Sequence, residues 1–255
     1  MISIIMLVHN AKIFTKHTIL TLTKTKTNEE YELIVVDNNS NGWTKRMLLN
    51  LQKRKLIDKL VLLKENTFFA KGNNIGSQIC NPKSEYIILM NSDIEIRNSK
   101  WLDLFMKIHE KGASCMGLCE NNPYTRGDGY CFLIDKDLYE KYKLDESFEW
   151  WWSVTKLEAE LLRDGYKINV IKNHENLMHH YGGMSGNAYK KSKGLQIEGD
   201  DVKKWFGDKT VKVIEKLETE DKNNIKVFTI SNVLAKFKSI KKKLKTKIKA
   251  IIKGE

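Results

Sequence analysis

Residues 86–95 read Tyr-Ile-Ile-Leu-Met-Asn-Ser-Asp-Ile-Glu. An apolar run of strand length, Tyr86–Met90, stops abruptly in a polar cluster that holds two carboxylates, Asp93 and Glu95. A carboxylate at the mouth of a buried strand loses solvation unless something cationic meets it. Residues i and i+2 of an extended chain point the same way, so both acids are expected to face one hard cation. Mg²⁺ and Mn²⁺ take oxygen ligands and leave positions for phosphate. The stretch therefore reads either as a metal–phosphate site at a strand end or as a solvated turn after a buried strand.

Working outward, Ile2–Val8, Glu32–Val36 and Leu60–Lys64 are further short runs of strand character. Helical-period stretches lie between them at Thr15–Thr23, Lys45–Arg54 and Asn73–Ile79. Strands that are apolar on both faces and alternate with helices predict an α/β fold with a mostly parallel sheet. Ligands of such sheets sit beyond the carboxyl ends of the strands. Two polar clusters fall there, Asp37–Gly42 and Asn91–Asp93. Further on, Gly127-Asp128-Gly129 precedes the apolar run Tyr130–Ile134, and helices are expected at 136–142 and 156–164. The second carries a capping-box pair, Thr155 and Glu158, and a terminal Gly165. A strand at Lys167–Ile171 leads into a polar loop with His174, His179 and His180.

At 255 residues the chain can bury a full core. Its four cysteines, Cys80, Cys115, Cys119 and Cys131, form no CxxC pair and no zinc spacing, and read as reduced thiols of a cytoplasmic protein. Neither a signal peptide nor an apolar run of membrane-spanning length is expected. The net charge of +12 is concentrated in residues 222–255, where eleven lysines face one acid, Glu255. The main domain is close to neutral, so the total charge says little about its ligand.

In this order and spacing the segments resemble family-2 glycosyltransferases with the GT-A fold, a Rossmann-like nucleotide-sugar-binding sheet. The similarity is greatest to the bacterial and viral, rhamnosyltransferase-like branch that builds polysaccharides. It rests on Ile2–Asn10, Glu32–Ser40, Phe69–Gly76, Ile88–Asp93, Leu144–Phe148, Arg163–Tyr166 and His180–Ser185. The resemblance implies a GT-A domain over 1–200 and a helical extension over 201–255. It implies a metal-dependent enzyme that moves a sugar from a nucleoside-diphosphate sugar to a glycan, lipid-linked or protein acceptor, with inversion. Donor-binding roles fall on Asp37, Asn39, Lys71, Asn73, Asn74, Asn91 and Ser92. Asp93, in the DxD-like position, would ligate Mn²⁺ or Mg²⁺, joined by Glu95 and His180.

The match departs from the family at one place. Counted back from Gly165, the family's Glu-Asp pair, whose Asp is the usual base, falls on Ser153-Val154. Glu149 lies one helical turn earlier, beside Trp150, Trp151 and Trp152, and is the candidate base. The alternative reading is a catalytically degenerate GT-A domain that binds sugar nucleotide or glycan as a scaffold. A nucleotidyltransferase would want a basic glycine-rich loop after the first strand, which His9-Asn10-Ala11 is not.

In the tail, apolar residues at 233, 237, 240, 244, 248 and 251 form one helical stripe among lysines. Residues 231–253 are therefore expected to lie on an anionic membrane surface, at the inner face. Pairing with another helix and nonspecific nucleic-acid contact remain the other uses of such a segment, and no module for specific nucleic-acid reading accompanies it.

Overall fold

The computed structural model describes residues 1–186 and 188–226. The basic segment 231–253 lies outside the described residues. The first half alternates as expected: β1 (Ile2–Val8), α1 (Lys12–Leu22), β2 (Tyr31–Asp37), α2 (Gly42–Lys53), β3 (Lys59–Leu62), α3 (Phe68–Ser77) and β4 (Tyr86–Asn91). Next come β5 (Ile94–Ile96), α4 (Trp101–Lys107), β6 (Gly112–Met116), β7 (Leu118–Cys119), β8 (Arg126–Gly127) and β9 (Cys131–Asp135). The rest is α5 (Lys136–Tyr142), α6 (Trp152–Arg163), β10 (Lys167–Asn173), β11 (Met178–His180), α7 (Gly199–Phe206) and β12 (Lys212–Lys216).

Eight strands form one sheet in the order β12-β10-β6-β9-β4-β1-β2-β3. Only β9 runs against its neighbours, β4 and β6. β1, β2 and β4 are buried on both faces because helices cover the sheet on both sides, which is why their sequences are near-continuous apolar runs. Their register is level, with Val8 opposite Asp37 and Leu7 opposite Asn91. The residues that follow these strands therefore emerge together at one carboxyl edge.

Three local expectations change. The helix expected at Asn73–Ile79 begins earlier, at Phe68, and takes in the asparagine- and glycine-rich stretch Lys71–Asn74. Gly72 sits there because the helix lies almost on β1: a Cβ would come 2.4 Å from Leu7 Cδ1. Helix α6 begins at Trp152, so Thr155 is inside it and donates back to Trp151 O, while Glu158 is fully buried and does not cap. At the other end of α6, Gly165 does take the left-handed conformation, with φ +87°. The compact unit runs Met1–Ile225. It includes α7 and β12, which the sequence reading placed in the extension; Val202 and Phe206 are fully buried and β12 extends the sheet beside β10.

Candidate active site

A cavity of about 320 Å³ opens at the carboxyl edge. One side is built by the ends of β1, β2 and β4, through His9, Asn38, Asn91 and Ser92. Continuing from Asn91, whose N–H donates to Tyr130 O, the wall is completed by Asp128, Tyr130, Trp150, Trp151 and Val154. Asp93 and His180 both line it.

The pairing of β5 with β11 brings Asp93 and His180 together. Ile94 stands opposite His180 in an antiparallel register, and Tyr181 N–H donates to Asp93 O. Asp93 Oδ1 lies 3.2 Å from His180 Nε2, and Asn91 Nδ2 lies 3.2 Å from the same nitrogen. Tyr130 stacks on the imidazole at 4.5 Å and 16°, which fixes the plane of the ring. The Tyr130 hydroxyl is buried and has no hydrogen-bond partner among the described residues.

The Asp93–His180 pair fits a divalent ion. Adjacent octahedral ligands at about 2.1 Å from a metal stand about 3 Å apart, which is the separation seen here. An imidazole nitrogen beside a carboxylate suits Mn²⁺ better than Mg²⁺. No group of three His, Cys, Asp or Glu side chains gathers around a common point among the described residues. The protein side of such a shell would thus be short, leaving positions for phosphate oxygens.

Glu95 is not part of this pair. Asp93 lies in the bend before β5, so the two residues do not share an extended segment, and Glu95 faces the packing between α1 and β5. It accepts from His17 Nε2 at 3.0 Å, Tyr181 Oη at 2.6 Å and Arg97 Nε at 3.1 Å. Burial alone would raise its pKa; these three donors override burial and pull it down to about 2.

The other sequence candidates are dispersed. Asp37 is fully buried and accepts from Ser40 N–H, closing its own turn. Its neighbour Asn38 reaches the cavity and also ties the loop to Thr67 and Phe68. Asn39 is exposed and accepts from Lys45 Nζ. Lys71 is exposed on α3. Asn73 donates to Phe69 O in its own helix. Asn74 is saturated: it donates to Leu144 O and Glu146 and accepts from Tyr139 Oη and Leu144 N. It therefore joins α3 to the segment after α5 and has nothing left for a ligand. Glu149 turns away from the cavity, its Oε2 accepting from Lys193 N–H at 2.6 Å.

Asp128 was not among the sequence candidates. It follows β8 in the Gly127-Asp128-Gly129 turn, its backbone N–H donates to Gly117 O, and its carboxylate accepts no hydrogen bond from the described residues. Behind it, fully buried Glu158 accepts from Gly127 N–H at 3.0 Å and from the Cys115 thiol at 3.4 Å. Burial raises the Glu158 pKa to about 7, against the opposing pull of the Arg126 charge and the Gly127 N–H. An acidic residue held between two glycines ahead of a buried strand was the available signal. At the family's usual base position, Ser153 is buried and donates to Trp150 O, and Val154 presents a hydrocarbon to the cavity.

A mostly parallel sheet that carries this cavity at its carboxyl edge has the GT-A architecture of nucleotide-sugar glycosyltransferases. The chain belongs to glycosyl transferase family 2, whose pattern matches residues 3–186. Among solved structures it is similar to TarS of S. aureus, at 16% identity and TM-score 0.54 over 68% of this chain and 35% of that one. A mannosyltransferase from Pyrobaculum calidifontis, solved with GDP-Man and Mn²⁺, is 13% identical with TM-score 0.57, covering 68% and 55%. GalNAc-T7, solved with UDP, GalNAc and Mn²⁺, is 12% identical with TM-score 0.55, covering 66% and 41%. The chain thus spans between about a third and just over half of those proteins' length. No curated protein sequence matches it significantly. Among the described residues, no helix is long and apolar enough to cross a membrane.

Proposed function

We propose that the chain transfers a sugar from a nucleoside-diphosphate sugar to a hydroxyl of a glycan, lipid-linked or protein acceptor, with inversion at the anomeric carbon. The observation that carries this reading is the Asp93–His180 pair, 3.2 Å apart at the carboxyl edge of a GT-A sheet. Solved relatives of the fold hold a nucleotide or nucleotide sugar with Mn²⁺, which supports a donor and a metal of the same kind. Asp93 and His180 would hold Mn²⁺ or Mg²⁺, which when bound offsets charge on the departing nucleoside diphosphate.

The chain's own residues supply the rest. Tyr130 stacks on the His180 ring and fixes its plane. Trp150 and Trp151 offer apolar faces against which a sugar ring can pack. Asp128 takes the proton of the acceptor hydroxyl as its oxygen attacks the anomeric carbon. The bond from that carbon to the diphosphate oxygen breaks, and the electron pair leaves with the diphosphate. Attack from the side opposite the leaving group inverts the configuration.

A second reading, a domain that binds donor without turning it over, is favoured by Ser153 and Val154 at the family's base position. One experiment separates the two. Binding of UDP-, GDP- and dTDP-sugars is measured by calorimetry with and without Mn²⁺, and release of nucleoside diphosphate is followed on the same panel. Metal-dependent binding with release supports the transferase. Binding without release, across a panel of acceptors, supports the scaffold. A folded protein that binds no donor would overturn both.

A further inference from the structure

The outer face of α1 and α2 has no role in the cavity, and its composition is one-sided. Neither helix contains an acid, and none occurs in the flanking stretches 9–28 and 38–57. On α2, Trp43, Arg46, Leu49 and Lys53 follow one another along the exposed face, and on α1 Lys12, Ile13 and Lys16 do so. Trp43 is 68% exposed, Ile13 55% and Leu49 49%. The two faces meet at Trp43, whose ring has Lys12 Nζ at 5.4 Å and Arg46 Cζ at 5.6 Å. No carboxylate among the described residues pairs with these cations.

Folding does not call for this arrangement. Lys12 opens α1 and Lys45 closes the first turn of α2, where the helix dipole disfavours positive charge; neither first turn has an acid to compensate. Three large apolar side chains in water add nothing to the core. Both features are repaid by a surface that is anionic outside and apolar just beneath. A soluble polyanion would reward the cations alone, leaving Ile13 and Leu49 in water. An indole flanked by cations matches the interface of a bilayer, where the ring sits at headgroup level and lysine stems reach outward.

We propose that the α1–α2 face, centred on Trp43, docks the protein on an anionic lipid leaflet. Both helices start directly after β1 and β2, whose next residues His9 and Asn38 line the cavity. A leaflet held by Lys12, Ile13 and Trp43 therefore meets the protein beside the cavity edge, where an acceptor anchored in lipid can reach it. The surface is made of residues other than 231–253, and the proposal stands independently of the transferase reading.

The test uses the full chain and phosphatidylcholine vesicles with or without phosphatidylglycerol. Wild type, Trp43→Phe and Lys12→Ala/Arg46→Ala are compared by co-sedimentation and by tryptophan quenching with brominated lipid, after circular dichroism has shown each to be folded. Wild type is expected to prefer anionic vesicles and to be quenched, with the Trp43 share of quenching lost in Trp43→Phe. Loss of two cations should weaken partitioning about twenty-fivefold, at about fivefold per charge. Quenching unchanged by Trp43→Phe, or partitioning unchanged in the double variant, would assign any docking to another segment and overturn the proposal. Failure to bind anionic vesicles overturns it too. So does unquenched binding that soluble polyphosphate displaces, which would mark the face as a polyanion site.

Discussion

Two buried glutamates sit behind the two acids of the cavity wall, and they are in opposite electrical states. Glu95 lies behind Asp93 and is 1% exposed; Glu158 lies behind Asp128 and is fully buried. Glu95 has three side-chain donors, one of them a guanidinium, and is charged down to about pH 2. Glu158 has one backbone N–H and a thiol, and holds its proton up to about pH 7. Burial acts on both in the same direction. What separates them is the number and charge of the donors that meet the carboxylate. The metal side is thus backed by a fixed ion cluster and the acceptor side by a nearly neutral one, which keeps a second full negative charge from standing behind Asp128 below neutral pH.

The comparison is broken most severely by removing the acid that each glutamate stands behind. Asp93→Ala is expected to lower nucleoside-diphosphate release by about a thousandfold or more, since it removes the carboxylate that meets the metal. Metal-dependent donor binding should fall with it, while denaturant melts stay near wild type because Asp93 faces the cavity. Asp128→Asn is expected to lower release by about 10²–10⁴-fold, the range for a general base. Here calorimetric donor binding should be retained, and that split between binding and turnover distinguishes the two sides. Equal turnover in Asp128→Asn and wild type would remove Asp128 from the reaction.

The two sides also differ in how far the sequence revealed them. Asn91, Ser92 and Asp93 reach the cavity because parallel strands in level register deliver their following residues to one edge, and apolar runs ending in polar clusters announce this. The i, i+2 argument for Glu95 failed because the chain bends at Ser92-Asp93, as an Asn-Ser-Asp cluster favours, so the two acids do not share an extended segment. Asn74 was misleading for a related reason: an asparagine that bonds a neighbouring segment and one that bonds a ligand are identical in sequence. The acceptor side depends on contacts distant along the chain. Glu149 is captured by Lys193, forty-four residues on, and Gly127 is held by Glu158, thirty-one residues on. Local pattern carries neither, so Asp128 could be read only as part of a turn.

The remaining predictions sharpen the contrast between the glutamates through stability. The Glu95 pKa is lowered on folding, so its contribution is present above the unfolded value of about 4.5 and is lost as pH falls through 2. Glu95→Gln should cost about 3 kcal/mol at pH 7, measured by urea unfolding, and progressively less toward pH 2. The Glu158 pKa is raised on folding, so the sign reverses: the wild-type protein binds the extra proton when folded, and stability declines as pH rises from about 4.5 through 7. Glu158→Gln keeps a neutral acceptor for Gly127 N–H while removing the ionisation. Relative to wild type it should gain about 2.5 kcal/mol in stability between pH 5 and pH 8, because any cost of its extra amide N–H is the same at both pH values. The absence of that gain would mean that the Glu158 carboxylate is welcomed as an anion, and that the two acids of the cavity wall are backed alike.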